Sequence, residues 1–315
     1  MNRLLIRIAA IVCTYIVIAT SATGYGQTDS TDNNLKLRKA ANIGFQSTVG
    51  IGSLAGLNFA WYANYPQSPF HLFNDWKGWM QMDKVGHATT AYQIGKNLYE
   101  LNKWSGFSEN SSLIAATLVG FGYQTAIEVL DGRSAQWGFS LSDFGFNTGG
   151  SLLFFGQQAL WKEQRIALKF SYQPSNYTNM KPLEASRARN LYGSSITEQW
   201  LKDYNGQTYW LSANIWSLAG KPDQFPKWLN IAIGYSLEGV YGAESNSWTL
   251  EDGTYYTSSQ VRQRQLLLSL DVDLEKADLP KPLRWIQPVF GLIKIPFPAL
   301  EWNSVYGLRG HWMYF

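Results

Sequence analysis

The sequence predicts an α+β protein: an N-terminal bundle of about four helices, embedded in or apposed to a membrane, followed by an antiparallel β region. Three observations predict it. Long uncharged runs recur between residues 41 and 161. Beyond Lys162 the chain turns to short alternating segments parted by Pro, Gly, Asn and Asp clusters. The composition is aromatic and poor in charge: 14 Trp, 18 Tyr and 16 Phe in 315 residues, with 16% charged against about 25% in an ordinary soluble domain. The net charge of +3, from 26 Lys and Arg against 23 Asp and Glu, leaves no broad basic footprint and argues against a nucleic-acid partner. A mean hydropathy of −0.20 is too low for a chain that spans a membrane throughout, so any lipid contact is confined to part of it.

Residues 1–26 carry Arg3 and Arg7 ahead of the apolar run Ile8 to Ala19, the order of a secretory signal peptide; an uncleaved anchor helix is the other reading. The single cysteine, Cys13, lies inside this run. Removal of the peptide leaves a thiol-free chain, which excludes disulfides and Cys-ligated metals while leaving export as the natural reading. Ala10-Ile11-Val12 ahead of Cys13 lacks the small residues of a lipidation signal. A polar stretch follows and gives a linker over 27–40.

The helical domain is expected over 41–165. Ala41 to Ala63, Asn110 to Ile127 and Phe144 to Trp161 have no charged residue and approach the length of a spanning helix. Asp83 to Leu101 is a fourth helix whose charges keep it from facing lipid along its whole length. Gly52 and Gly56 offer close helix packing. A water-soluble bundle with buried helices is the alternative, because Asn, Gln, Ser and Thr interrupt every run.

The region 166–315 reads as antiparallel strands at Ile166–Tyr172, Thr208–Ser217, Leu229–Tyr241, Val261–Leu274 and Ser304–Phe315. In the fourth, Leu266, Leu268, Leu270, Val272 and Leu274 share one face, with Ser269, Asp271 and Asp273 opposite. Prolines at Pro280 to Pro282 and Pro296 to Pro298 argue for loops or edges and against a central strand. The aromatic ending at Phe315 resembles the last strand of outer-membrane barrels and equally fits an ordinary edge strand. Five strands fall short of the eight in the smallest such barrel.

Candidate chemistry falls between Asn74 and Asn147. Asp83 and His87 are four apart and share a helix face, with Lys84 beside them. Glu128 and Asp131 share another, and Asp131-Gly132-Arg133 reads as a helix stop with Gly132 left-handed. Asp143 and Asn147 form a third pair, after Ser140. Each has a structural explanation as well: Ser140 and Asp143 match a capping box, Asp131 can finish a helix, Asp83 can begin one, and His87 can be a neutral core histidine. Ionisable groups on apolar helices are costly to bury, so embedded helices would bring them together or toward a wet cavity.

Asp83-Lys84-x-x-His87, Glu128-x-x-Asp131-Gly132-Arg133-Ser134 and Trp137-Gly138-Phe139-Ser140-x-x-Asp143-x-x-x-Asn147-x-x-Gly150 resemble the YfiM-like family, a predicted periplasmic lipoprotein domain of unknown function. The same order is similar to that of VanZ-like membrane proteins. The resemblance covers about residues 70 to 165, and neither family brings an assigned reaction.

Two functions are carried forward. In the first, a cell-envelope protein uses Asp83, Lys84, His87, Glu128, Asp131, Arg133, Ser140, Asp143 and Asn147 for structure or ligand binding. In the second, an envelope hydrolase or phosphoryl-transfer enzyme acts on a lipid-linked or phosphorylated precursor. His87 would then be its acid or base, Asp83 or Asp143 would orient it or hold a divalent metal, and Lys84 and Arg133 would grip an anion. No dense metal motif, nucleophile elbow or phosphate loop is present. The expected address is exported, periplasmic and membrane-associated, at the outer membrane, with membrane lipid or an envelope component as partner.

Overall fold

The computed structural model describes residues 32–60, 62, 65–177, 180–278, 280 and 287–315. The signal peptide expected at 1–26 lies outside them. The chain is mixed α+β, with a helical region followed by a β region built on antiparallel sheets. It divides into two compact units: the described residues up to Asn74 with Thr90–Leu160, and Asp75–Thr89 with Trp161–Phe315.

Four helices supply the first unit: α1 (Asp32–Ala60), α2 (Met82–Trp104), α3 (Glu109–Asp131) and α4 (Leu141–Trp161), with α2 contributing from Thr90 onward. A short parallel pair, β1 (Leu72–Phe73) and β2 (Phe139–Ser140), closes the approach to α4. Helix α1 starts at Asp32, within the stretch read as linker, because Leu35 to Ala41 holds no breaker and continues the helical run. Ser108 caps α3, accepting the Ser111 N–H, and Glu109 in the first turn suits the positive end of the dipole. Among the described residues α3 is the one helix long and apolar enough to cross a membrane.

On α3 and α4 many apolar side chains are turned outward and polar ones inward. Ile114, Leu118 and Val119 on α3 and Leu152 and Leu160 on α4 are exposed, whereas Ser112, Gln124, Glu128, Asp143, Asn147 and Ser151 are buried. Polar side chains also join the helices. Asn42 donates to Asn102 Oδ1 at 2.8 Å, Tyr123 to Ser53 Oγ at 3.0 Å and Gln158 to the Tyr99 hydroxyl at 3.1 Å. Helices α2 and α3 approach closely at Gly120, where an added Cβ would stand 2.9 Å from the Ala91 carbonyl oxygen. Gly52 has open space around it. Gly132 differs from expectation: it is right-handed at φ −60°, and what requires glycine there is the Phe70 ring, 2.6 Å from where a Cβ would be.

The second unit is built on a six-stranded antiparallel sheet in the order β10-β9-β8-β5-β4-β3. Its strands are β3 (Ile166–Tyr172), β4 (Gln207–Asn214), β5 (Leu229–Glu238), β8 (Gln263–Val272), β9 (Phe297–Asn303) and β10 (Gly307–Tyr314). A hairpin of β6 (Ser247–Thr249) and β7 (Tyr255–Thr257) lies between β5 and β8 in the chain. Each of the five expected segments supplies a strand to the large sheet, but Ile215 to Ser217, expected as strand, lies in a short helix and Ser304 to Tyr306 is the turn before β10; β9 is the strand that the proline argument excluded. Pro298 is accommodated because the β8 pairing begins only at Ala299, while the Pro298 carbonyl accepts the Ser269 hydroxyl at 3.0 Å. The register aligns Leu168, Leu211, Ile233, Leu268 and Leu300 across five strands. Four of these, Leu211, Ile233, Leu268 and Leu300, are exposed. The alternate positions are buried and mostly polar, with Lys169, Ser171, Ser212, Asn230, Gln265, Asp271, Glu301 and Asn303 beside the apolar cluster of Trp210, Ala232, Leu267 and Ala299. Lys169 Nζ lies 2.6 Å from Asp271 Oδ2. The Trp210 and Tyr314 rings, on β4 and β10, have centroids 6.2 Å apart. Strands spaced about 4.8 Å apart in a flat sheet would hold them much farther apart, so the sheet curls with its polar face inside.

Helices α5 (Pro182–Tyr192) and α6 (Ile196–Lys202) also belong to this unit. A reciprocal capping box between Ser195 and Glu198 starts α6. At its end Asp203 is buried and accepts the Tyr177 hydroxyl at 2.5 Å. Burial raises the Asp203 carboxyl above its ordinary value, and the hydrogen bonds from Tyr177, Ser175 and Asn205 offset this only in part. A raised folded-state value adds stability below the unfolded pKa and loses it as pH rises through the folded one. Urea midpoints measured from pH 4 upward are therefore expected to fall for the wild type relative to Asp203→Asn, which cannot ionise. Parallel profiles would contradict this reading.

Candidate functional site

The expected site residues fall into two sets, each within one unit. The first surrounds the start of α2. Lys84 is fully buried, with Nζ 2.8 Å from Asp75 Oδ2 and 3.8 Å from Asp83 Oδ2. One turn on, His87 Nε2 lies 3.8 Å from Asp83 Oδ1, the shared face expected from their spacing. The Tyr204 hydroxyl donates to the same Asp83 oxygen at 3.1 Å. Burial, and then the Asp83 charge, push the Tyr204 phenol well above its ordinary value, so it stays a donor. Gly86 allows the Tyr209 hydroxyl to sit over the helix, 2.9 Å from where a Cβ would be.

The approach to α2 is strained. Trp79, Met80 and Gln81 have φ of 48°, 50° and 66° in succession. Left-handed backbone costs a non-glycine residue about 1–2 kcal/mol, and bonds from elsewhere in the unit offset that cost. The Ala243 carbonyl accepts the Trp79 N–H at 2.7 Å, Tyr235 donates to the Met80 carbonyl, and Arg264 donates to Gln81 Oε1 at 2.6 Å. Strain of this kind concentrates at functional sites.

The second set joins α3 to α4. Glu128, 1% exposed, accepts the Ser140 N–H at 3.1 Å through Oε2. Ser140 Oγ in turn accepts the Asp143 N–H at 3.0 Å. Half of the expected capping box therefore forms, with Glu128 taking the Ser140 N–H. Gln124 donates to Asn147 Oδ1 at 3.3 Å. Asp131 accepts the Tyr62 hydroxyl at 2.8 Å, beside Trp137 packed edge-on against Tyr62, which makes it an anchor for the helix end. Arg133 is exposed.

Asp75, Tyr204 and Tyr209 were not foreseen as members of the first set. Asp75 stands in a turn-forming Asn74-Asp75 pair that gives a loop signal only. The tyrosines are more than a hundred residues away in the chain, and no periodicity connects them to Asp83. In donor chemistry the Asp83 carboxylate and His87 imidazole suit a divalent ion, and the same pair serves equally as an oriented acid or base.

A mixed helical and β protein with a polar site in its family-like segment is the class that fold and site define. Residues 73–155 match the family model described as a predicted periplasmic lipoprotein (DUF2279). No curated protein and no solved structure matches the chain.

Proposed function

We propose that this is an exported, membrane-associated protein of the bacterial envelope, at the outer membrane, whose polar residues between 83 and 147 serve structure and ligand binding. The observation that carries the reading is polarity inversion on α3 and α4: Gln124, Glu128, Asp143, Asn147 and Ser151 are buried while Ile114, Leu118, Val119, Val129, Leu152 and Leu160 are exposed, with Leu113, Ala116 and Phe154 the apolar residues kept inside. That is the arrangement expected when lipid lies outside and a polar interior is kept for a purpose. The family description of residues 73–155 agrees with a periplasmic address. The aromatic end of β10 agrees with the outer membrane, since barrel proteins there carry aromatic girdles at the interfaces.

In this reading Glu128, Ser140, Asp143, Asn147 and Asp131 hold α3 and α4 in register, and Asp83, Lys84 and His87 present the ligand-binding chemistry. Arg133, being exposed, is available to an anionic component of the envelope. A second reading, turnover of a lipid-linked or phosphorylated precursor in the manner suggested by the VanZ-like order of motifs, is favoured by the 3.8 Å Asp83–His87 pair and the Tyr204 hydroxyl that fixes Asp83. A divalent metal belongs to either reading, with Asp83 and His87 as its first donors.

The two are separated by substitution in the full chain. Glu128→Ala leaves the Ser140 N–H buried and unpaired, which costs about 1–3 kcal/mol. The binding and structural reading expects that variant and Asp143→Asn to melt below wild type and to be less abundant in cells. Unchanged melting and abundance in His87→Ala and Asp143→Asn, together with loss of an envelope phenotype, would replace it with the enzyme.

A further inference from the structure

The six-stranded sheet has the reverse of the polarity a water-soluble sheet requires. On β8 the burial alternates residue by residue, with Gln265, Leu267, Ser269 and Asp271 inside and Leu266, Leu268 and Leu270 outside. On β9, Glu301 and Asn303 are inside and Leu300 and Trp302 outside. The interior is mixed: Trp210, Ala232, Leu267 and Ala299 form a small apolar cluster there, and polar side chains bonded to one another fill much of the rest. Gln265 donates to Glu301 at 3.0 Å, Asn303 to Gln263 at 2.9 Å, and Asn230 to the Ser212 hydroxyl at 2.8 Å. Lys294 is buried with Nζ 4.6 Å from the centre of the Trp210 ring.

The outward positions are the other half of the argument. Following the register from β3 to β10, they hold one charged residue, Arg264, at the end where it donates to Gln81 and Tyr235. In the aligned row Tyr209, Tyr235, Leu266, Trp302 and Leu308 the two tyrosines are covered by the segment around Met80 and Met82, while Leu266, Trp302 and Leu308 are exposed; the next row, Leu168 to Leu300, is aliphatic. Beyond these rows Trp312 is 88% exposed. Strands β5 and β8 have ten residues each, within the roughly 9–11 that a tilted strand needs to cross hydrocarbon.

We infer that the outward face of this sheet lies against the acyl chains of a lipid bilayer. Polar inside, apolar outside and aromatic at the margin is the pattern of a lipid-facing sheet. The curl that brings Trp210 to Tyr314 makes the apolar face convex. Two convex copies can touch only along a line and would leave most of the leucine rows wet, whereas fluid hydrocarbon conforms to the whole surface. Lipid is therefore the occupant, and a second copy of the chain is not. The inference rests on the membrane association proposed above and assigns it to a particular surface.

The test uses the full chain with Cys13→Ser and a bimane fluorophore on one introduced cysteine, reconstituted in phosphatidylcholine vesicles with or without brominated acyl chains. Labels on Leu268→Cys and Leu300→Cys are expected to be quenched by the bromines and shielded from aqueous iodide. A label on Leu118→Cys, exposed on α3, reports the membrane association independently. Quenching at 118 with iodide access at 268 and 300 leaves the association standing and overturns the sheet inference; no bromine quenching at any of the three overturns both. Shielding at 268 from both quenchers, with a concentration-dependent dimer in sedimentation, assigns the face to a second copy and also overturns it. Leu268→Arg is expected to weaken vesicle retention about thirty-fold or more, and Leu268→Met to leave it unchanged. If the Arg variant does not fold by far-ultraviolet circular dichroism, the label positions decide alone.

Discussion

Replacing Asp271 by Leu is expected to destabilise the sheet by about 3–5 kcal/mol, because it leaves the Lys169 ammonium buried without its counter-ion. The pair is 2.6 Å apart, both side chains are almost wholly enclosed, and Ser212 donates to the same Asp271 oxygen at 2.7 Å. Lys169 on β3 and Asp271 on β8 have two strands between them, so the bond also fixes the curl. The double replacement Lys169→Met with Asp271→Leu removes both charges at similar volume and is expected to recover most of the loss, since apolar isosteres commonly match a buried ion pair. Chemical denaturation followed by tryptophan fluorescence measures all three. A single replacement as stable as the wild type would mean that water reaches the pair.

Gly120→Leu is expected to disrupt the crossing of α2 and α3, at a cost of about 3 kcal/mol or more. The first added carbon would stand 2.9 Å from the Ala91 carbonyl oxygen and 3.1 Å from the Gly95 nitrogen. Both neighbours are backbone and have no rotamer through which to yield, so the helices must separate. Gly122→Leu is the control. Nothing lies within 4 Å of its Cβ position, and leucine is the better helix former by somewhat less than the roughly 1 kcal/mol that separates glycine from alanine. Thermal melts are expected to rank Gly120→Leu well below wild type and Gly122→Leu at or above it. Equal melting of the two variants would show that the crossing is not close-packed.

Much of the fold was legible because period and composition carry it. The uncharged runs became α1, α3 and α4, and the alternation in Leu266 to Leu274 marked β8 correctly. What alternation cannot give is which face is inside. The period is two either way, and Leu266, Leu268 and Leu270 of β8 face away from the interior. Pro298 misled because a proline excludes only the ladder bonds it would have to donate, and β8 pairing starts one residue later. In the candidate site, the shared face of Asp83 and His87 followed from helical spacing. The partners that hold it, Asp75 and Tyr204, depend on tertiary approach and left no periodic trace. Gly132 was assigned to the wrong cause: a glycine after a helix has two explanations, backbone handedness or a neighbour's bulk, and only the Phe70 ring distinguishes them.

The turn over Trp79 to Gln81 bears on how this protein can be divided. Its three reversed residues are held by Ala243, Tyr235 and Arg264, all far beyond residue 155, the end of the segment that matches the family model. A fragment cut at that boundary would keep the motif and lose the clamps that set the entry of Asp83 and His87 into their helix. The unit of sequence kinship is therefore smaller than the unit that can support this site, and any transplant of the motif must bring the distant strands with it.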